Sequence, residues 1–342
     1  MPRTRFDDHL DALKAMGFWI PQPAVVQQIM ADGVLPRGDF ADASGQVFFA
    51  RQLEYIEAQV YKVLYSDLKW RQLFPIDTSV PEGVKSTTYQ VMDKAGQSKW
   101  INTGAKDIPR VDIAGAEQTD PVHWGANSYG YNIGELASAR HLGMNLDAAK
   151  AEASRRAHEQ MMSDAVWLGN TKLGFTGIFT TGNGIPRTTV PTGVGGVTWD
   201  LKTPDEILAD INLGFSTVVE DTKEAEIPTH MLLPTKQYND IATRRLTDTA
   251  ETILSYVVRT SPWIAGPDRI VSVPELAGAG TAGADASLIY TRNPSKIQTI
   301  IPKDISFLPV QQIGLEYVVY CVIVFGGLRI RYPLSAHILE GI

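Results

Sequence analysis

The longest regular pattern in this sequence is a helix predicted over residues 145–168. Apolar and small side chains recur there on one stripe, which consists of Leu146, Ala149, Ala153, Ala157, Met161, Ala165 and Leu168. Asn145 is a suitable N-cap, and Gly169 is a suitable left-handed terminator. At 1.5 Å per residue the helix would be about 36 Å long. The small residues allow close approach to a sheet or a second helix, so we expect the fold to be organised along this stripe.

The segment after this helix, "GNTKLGFTGIF" (169–179), combines glycines with apolar residues. A phosphate-binding loop needs Lys and then Ser or Thr directly after its last glycine, whereas Phe175 follows Gly174 here. A dinucleotide-binding glycine run should open a helix, whereas this one closes a helix. The alternatives that remain are a buried hinge and an assembly surface.

Motifs for catalysis or metal binding are not found in the sequence. "HEQMM" (158–162) lacks the second His of a zinc-protease motif, and the six histidines are otherwise scattered. The single cysteine, Cys321, has no partner for a disulfide and lies in an apolar strand pattern, which favours a buried, inert thiol. We therefore predict no catalytic residue, no cofactor-binding residue and no metal site, and a protein that is not an enzyme.

The formal net charge of −7 argues against a surface that grips nucleic acid, because phosphate neutralisation needs clustered Lys and Arg. It does not exclude a protein that encloses nucleic acid without binding it tightly. No signal-peptide core is found, and no apolar run approaches the roughly 20 residues of a membrane-spanning helix. These features predict a soluble protein made inside a cell.

Two N-terminal regions differ in pattern. Residues 1–45 contain four prolines and no sustained periodicity, which favours an arm that lies on another surface, whereas residues 47–68 have helical spacing.

Residues 85–113 predict a β-ribbon with a turn at Ala95 and Gly96, and both of its faces are polar. Such a ribbon is either a solvated surface hairpin or is held by a partner surface, because two strands alone are marginal in water.

The remaining chain predicts alternating helices and strands. Thr203, Pro204 and Glu206 form the start of a capped helix, whose apolar face is Ile207, Leu208, Ile211, Phe215, Val218 and Val219. Strand candidates are "THMLLP", "RIVSVPEL", "SLIYTR", "IQTIIP" and "YVVYCVIVFGGLRIRYP", and residues 277–287 predict a surface loop.

Three stretches carry a resemblance to a known family: "AVWLGNTKLGFTGIF", "HMLLPTKQYNDIA" and "VIVFGGLRIRYPLSAHILEGI". Together with the order of elements, they make the chain similar to the major capsid proteins of tailed bacteriophages, whose Hong Kong 97 fold is shared with encapsulin shells. The resemblance implies an α+β fold. It comprises an N-terminal arm (1–46), a peripheral domain (47–84 and 114–180, with a spine helix at 145–168), an extended loop (85–113), an axial domain (181–299) and C-terminal strands (300–342) that return to the peripheral domain.

The same resemblance implies a function and a set of residues. Many copies would assemble, as hexamers and pentamers, into an icosahedral head enclosing double-stranded DNA, in the virion after assembly in the bacterial cytoplasm. Gly169, Gly174 and Gly177 would form the crossover after the spine helix. The implied assembly residues are Phe18, Trp19, Ile20, Lys94, Ala95, Gly96, Lys99 and Trp100.

Alternatives to this interpretation stay open at the level of sequence. An encapsulin-type compartment holding a cargo enzyme is one, and an α+β enzyme with an unrecognised site is another. Residues 18–20 either anchor an arm on another chain or pack on their own subunit. Lys94, Lys99 and Lys106 are available for a covalent crosslink to an Asn of another subunit, as in some relatives, but they are more simply explained as solvated surface groups. Since the sequence starts at Met1 with no charged scaffolding segment, we expect a separate scaffolding protein or an arm that acts alone, and portal and decoration proteins are further candidate partners.

Overall fold

A computed structural model of the chain describes residues 66–96, 98–100, 110–142, 146–247 and 249–342. The predicted arm and almost all of the helix predicted at 47–68 lie outside these residues. The α-helices are α1 (Trp70–Leu73), α2 (Ile133–Leu142), α3 (Leu146–Trp167), α4 (Pro204–Asp221), α5 (Thr235–Thr243) and α6 (Ile253–Thr260). The strands are β1 (Ile76–Asp77), β2 (Ser86–Ala95), β3 (Asp112–Pro121), β4 (His123–Asn132), β5 (Arg187–Thr189), β6 (His230–Leu233), β7 (Ile270–Ser272), β8 (Ala286–Tyr290), β9 (Ile297–Ile300), β10 (Lys303–Phe307), β11 (Gln311–Ile313), β12 (Glu316–Phe325), β13 (Leu328–Ile330) and β14 (Ala336–Glu340).

The described strands form four sheets. The largest has the order β5-β14-β8-β6-β7, and a small sheet has the order β1-β9-β13. A third sheet joins β10, β12 and β11, with β4 also paired to β12. The fourth consists of β2 and β3 alone. Helices and strands are mixed along the chain, which gives an α+β fold.

The five-stranded sheet is buried on both faces. Met231, Leu233 and Ile289 pack on one side with the buried face of α4, whereas Leu232, Leu288 and Ile338 join a second core that includes the end of α3. The predicted start of α4 is confirmed, since the Thr203 side chain accepts a hydrogen bond from the Glu206 backbone and the Glu206 side chain accepts one from the Thr203 backbone. This sheet and its helices consist of residues between 181 and 299, to which the C-terminal strand β14 is added.

The long helix α3 agrees with the predicted 145–168 within one residue at each end, but it buries a different face. Of the stripe residues whose burial the structure describes, Ala165 is buried, whereas Ala149, Ala153, Ala157, Met161 and Leu168 are exposed. The buried face includes Ser154, His158, Met162 and Val166. The prediction was wrong because polar groups hold this helix to its sheet. Ser154 donates to the Asn127 side chain at 2.6 Å, and His158 Nε2 lies 3.3 Å from the Cys321 carbonyl oxygen.

The β-ribbon, which we define as β2, β3 and the connection at 96–111, also differs from its predicted form. Ser86 pairs with Pro121 and Ala95 pairs with Asp112, so the ribbon extends to residue 121 instead of 113, and no turn lies at Ala95 and Gly96. Cross-strand polar pairs match this register, as in the 2.8 Å bond between the hydroxyls of Thr88 and Thr119. The sequence "DIAGAEQTDP" of β3 contains few strand formers, which is why its strand was not predicted.

The C-terminal strands divide between two sheets. β12 pairs with β4 along ten residues, from Glu316 with Asn132 to Phe325 with His123. β14, in contrast, pairs with β8 and β5 in the five-stranded sheet. The expectation that all of residues 300–342 return to the part containing α3 is therefore corrected: β10 to β12 do so, and β14 does not.

Candidate assembly surfaces

The glycine-rich segment after α3 folds back onto the end of that helix. The helix ends at Gly169, which has φ 73°. Asn170 and Phe175 exchange two backbone hydrogen bonds of 2.9 Å. The backbone N–H groups of Ile178 and Phe179 then donate to the carbonyls of Val166 and Trp167. The turn thus satisfies carbonyls in the last turn of α3, which a helix end otherwise leaves unpaired.

Two of the three predicted crossover glycines have no room for a side chain. A Cβ on Gly177 would lie 2.3 Å from the backbone nitrogen of Gly169, and one on Gly169 would lie 2.7 Å from the nitrogen of Gly177. Gly174 has φ 76° and faces open space apart from Pro121. The three glycines therefore lie in one reversal of the chain. Gly169 and Gly177 are required by close backbone contacts, and Gly174 is favoured by its positive φ.

The root of the ribbon is fastened to strand β13 by charge and by an aromatic ring. Arg329 forms an ion pair with Asp120 of β3, and the two side chains are 6% and 18% exposed. The guanidinium carbon of Arg329 also lies 5.0 Å from the ring centroid of Tyr89 on β2, and that of Arg331 lies 5.8 Å from it. The base of the ribbon is therefore held at a defined position on the folded chain.

Beyond this root the ribbon carries exposed apolar side chains, and within the described ranges its strands pair with no third strand. Met92 and Ile113 are 64% and 59% exposed, and Trp100 is fully exposed. Of the predicted assembly residues, Lys94 and Ala95 lie in β2, Gly96 follows that strand, and Lys99 is exposed beside Trp100. Phe18, Trp19, Ile20 and Lys106 lie outside the described residues.

A cavity of about 490 Å³ opens beside the exposed stripe of α3. Its walls come from the start of β4, from α3 and from the segment after α3, and they include Trp124, Met161, Leu173, Phe175 and Phe325. Asp164 is its acidic residue, and desolvation by these walls raises the pKa of that carboxyl above its ordinary value. Among the described residues, no hydrogen bond or ion pair reaches the Asp164 side chain. The sequence did not reveal this site, because Trp124 lies in a strand that the residue pattern did not predict.

The part of the fold built on the five-stranded sheet contains a buried charge pair with a tryptophan beside it. Lys202 Nζ lies 2.6 Å from Asp210, and the Trp199 Nε1–H group donates to the same carboxylate at 3.0 Å. Burial raises the pKa of Asp210, although Lys202 opposes that shift. Both donors reach the same oxygen of Asp210, so the trio fixes the loop before α4 to that helix.

Two histidines lie in the five-stranded sheet. Burial, together with Arg269 and Arg292, lowers the pKa of His230 from 6.5 to about 4, and burial also lowers the pKa of His337. Burial raises the pKa of the Cys321 thiol. Within the described ranges, no group of three His, Cys, Asp or Glu side chains is arranged to hold a metal ion. No helix in the described part of the chain has both the length and the apolar character of a membrane span.

Comparison with known proteins places these features in a family. A family model described as major capsid protein matches residues 96–342. The solved structure "The capsid of Myoviridae Phage XM1" is 17% identical and has a TM-score of 0.76. The match covers 87% of this chain and 100% of that one. A Microbacterium phage Oxtober96 structure is 14% identical with a TM-score of 0.60, covering 85% of this chain and 96% of that one. The capsid of an empty GTA particle is 13% identical with a TM-score of 0.59, covering 84% and 94%. No curated protein sequence matches the chain.

Proposed function

The chain belongs to the major capsid protein family, and from that premise we propose that its copies form hexamers and pentamers that close into an icosahedral head around double-stranded DNA. It is a shell-forming component of a virion with the α+β capsid fold of the Hong Kong 97 type. Family and fold are those of structural proteins, so its action is association. The encapsulin alternative is not favoured, because the matching family model is that of major capsid proteins.

The ribbon is the observation that carries the proposed mode of assembly. Its two strands pair only with each other among the described strands, and a two-stranded ribbon is marginal in water without an apolar surface to cover it. Its exposed Met92, Ile113 and Trp100 need such a surface, and the subunit's own fold contacts the ribbon through Tyr89 and Asp120 at its root. A neighbouring subunit that lies under the ribbon would supply the missing face.

The parts of the fold then take separate roles in the shell. Residues 66–84 and 122–180, with α3 and its sheet, would form the peripheral domain, and residues 181–299 with β14 would form the axial domain around the centre of each capsomer. Gly169, Gly174 and Gly177 would make the crossover between them. The arm, with Phe18, Trp19 and Ile20, would lie along adjacent subunits.

The contents and partners of the shell are part of the same proposal. A net charge of −7 keeps a wall from binding DNA tightly, so DNA would be enclosed without sequence-specific contacts. Assembly would take place in the bacterial cytoplasm, with separate scaffolding, portal and decoration proteins as candidate partners.

Electron microscopy of the purified protein, together with sedimentation, tests the proposed shell. We expect closed particles of uniform diameter at high protein concentration and subunits or capsomers at low concentration. Particles isolated from infected cells should yield double-stranded DNA after nuclease treatment of their exterior. Purified protein that stays monomeric at every concentration and with cell extract added would contradict the proposal.

A further inference from the structure

The cavity beside α3 and the exposed tryptophan of the ribbon have complementary chemistry. Trp100 presents its whole indole to solvent, and a buried indole generally pairs its N–H group. The cavity has apolar walls and one carboxylate, Asp164, without a partner among the described residues. The Trp100 side chain thus lacks an apolar environment and a hydrogen-bond acceptor, and the cavity provides both.

The size of the cavity suits this ligand. An apolar cavity of roughly 150 Å³ is enough to hold benzene, and the space beside α3 is about 490 Å³. It therefore accommodates an indole and part of the chain beside it. Trp124 and Met161 are 60% and 46% exposed at its rim, so the walls are accessible from outside the subunit.

The chain already uses this pairing inside its own fold. Trp199 donates its Nε1–H group to Asp210 at 3.0 Å, with its ring buried against apolar neighbours. A Trp100–Asp164 contact would repeat that arrangement between two copies. The part of the exposed α3 stripe at the cavity, Ala157 and Met161, would be covered at the same time.

We propose that Trp100 of one subunit enters the α3 cavity of a second copy, where its ring packs against Trp124 and Met161 and its N–H group donates to Asp164. The proposal rests on the proposed function, since it names the receptor for the ribbon of a neighbouring subunit. Large aromatic residues seated in pockets contribute most to many protein interfaces, so this contact would be a main determinant of the strength of association.

Disulfide crosslinking tests the contact in assembled particles. Ser98 is exposed two residues before Trp100, and Gln160 lies at the cavity. The Ser98→Cys/Gln160→Cys variant should give a ladder of linked subunits under oxidation. The matched Ser98→Cys/Val194→Cys variant, whose second cysteine replaces an exposed residue of the axial part, should not. Single-cysteine variants give at most dimers, and Cys321 is buried.

Normal particles without the Ser98–Gln160 ladder would overturn the inference and leave the proposed shell function intact. A ladder from Phe18→Cys/Gln160→Cys in its place would make the arm the occupant and would also overturn it. Absence of particles from the parent protein would refute the shell function itself. The two failures are thus distinguishable.

Assembly equilibria provide an independent readout. Trp100→Phe removes the N–H donor, and Asp164→Leu removes its acceptor. Each should raise the critical concentration for assembly, on the order of tenfold, and the double variant should raise it little further because both changes remove one contact. Unfolding of the isolated subunit should be unchanged in Trp100→Phe, whose ring is fully exposed, and should not be weakened in Asp164→Leu, which removes a desolvated carboxyl. Fully additive effects on the critical concentration would contradict the pairing.

Discussion

Arg329 and Asp120 form an ion pair that joins strand β13 to the root of the ribbon. Both side chains are largely withdrawn from water, so removal of one leaves the other charge without compensation. We expect Asp120→Asn to lower the free energy of unfolding of the subunit by about 3 kcal/mol. Glu251→Gln, which breaks the exposed Arg259–Glu251 pair, should change it by less than about 1 kcal/mol. Urea denaturation of both variants measures this difference, and equal effects would show that the root of the ribbon is not fastened by this pair.

The reversal after α3 predicts a graded response to added methyl groups. Gly177→Ala places a Cβ against the backbone of Gly169 and should destabilise the subunit by about 3 kcal/mol or more. Gly174→Ala meets open space but keeps a positive φ, so we expect a loss of about 1 kcal/mol. Gly83→Ala, which meets no atom within 4 Å, is the control. Thermal unfolding gives the ranking, and a Gly177→Ala subunit as stable as the control would contradict the crowding.

The stability of the subunit should fall in mild acid. The folded-state pKa of His230 is about 4, below the ordinary 6.5, so between these pH values the unfolded chain binds a proton that the folded chain excludes. Stability is therefore lost as pH falls from about 6.5 toward about 4, and His337 adds to the same trend because burial also lowers its pKa. His230→Gln should flatten the decline, whereas the exposed His141→Gln should leave it unchanged. Denaturation curves across this pH range test the claim, and an identical slope in His230→Gln would refute it.

The ribbon should become protected from hydrogen exchange only when subunits assemble. Its strands, Ser86–Ala95 and Asp112–Pro121, pair with each other alone, so their amides should open readily in free subunits. Packing on a neighbour should slow exchange there by at least tenfold, whereas β8, at the centre of the buried sheet, should be slow in both states. Exchange measured by mass spectrometry on subunits and particles gives the comparison. Equally strong protection of the ribbon in both states would show that it needs no neighbour.

Residues 1–45 provide a test of the proposed arm. We expect a chain lacking them to keep the unfolding temperature of the parent subunit and to fail to form closed, uniform particles. Calorimetry and electron microscopy on the same preparation separate the two properties. A truncated chain that is insoluble, or that melts well below the parent subunit, would show that residues 18–20 pack on their own subunit instead.

Local signals in the sequence predicted several elements between residues 203 and 300 correctly. The capping box at Thr203 and the apolar spacing of α4 lie within one segment, and the short apolar strands β6 and β8 and the β-branched strand β9 need little context. Strands β3 and β4 were missed because Gly, Ala, Asn and Asp dominate them, and their pairing is decided by distant partners. When the register of a strand is determined by residues far away in the sequence, the local residue pattern does not predict that strand.

The face of α3 shows a second reason for failure. Alanines at helical spacing indicate that one side of the helix is apolar, but they do not indicate whether its cover comes from the same chain or from another. The sheet instead covers a side that carries Ser154 and His158, whose hydrogen bonds cannot be read from spacing. The α3 cavity was missed for the same reason, since Trp124 reaches it from β4.

The position of β14 between β5 and β8 in its sheet determines when a newly made chain can finish folding. Arg187, the first residue of β5, bonds to Glu340 of β14, which lies 153 residues further along the chain. A ribosome adding about 5 to 20 residues per second needs roughly 8 to 30 s to cross that interval. Throughout this time the sheet lacks the strand between β5 and β8, and contacts so distant in sequence also form slowly. Subunits still under synthesis therefore lack a finished axial core, which delays their entry into a growing shell until the chain has been read to its final strand.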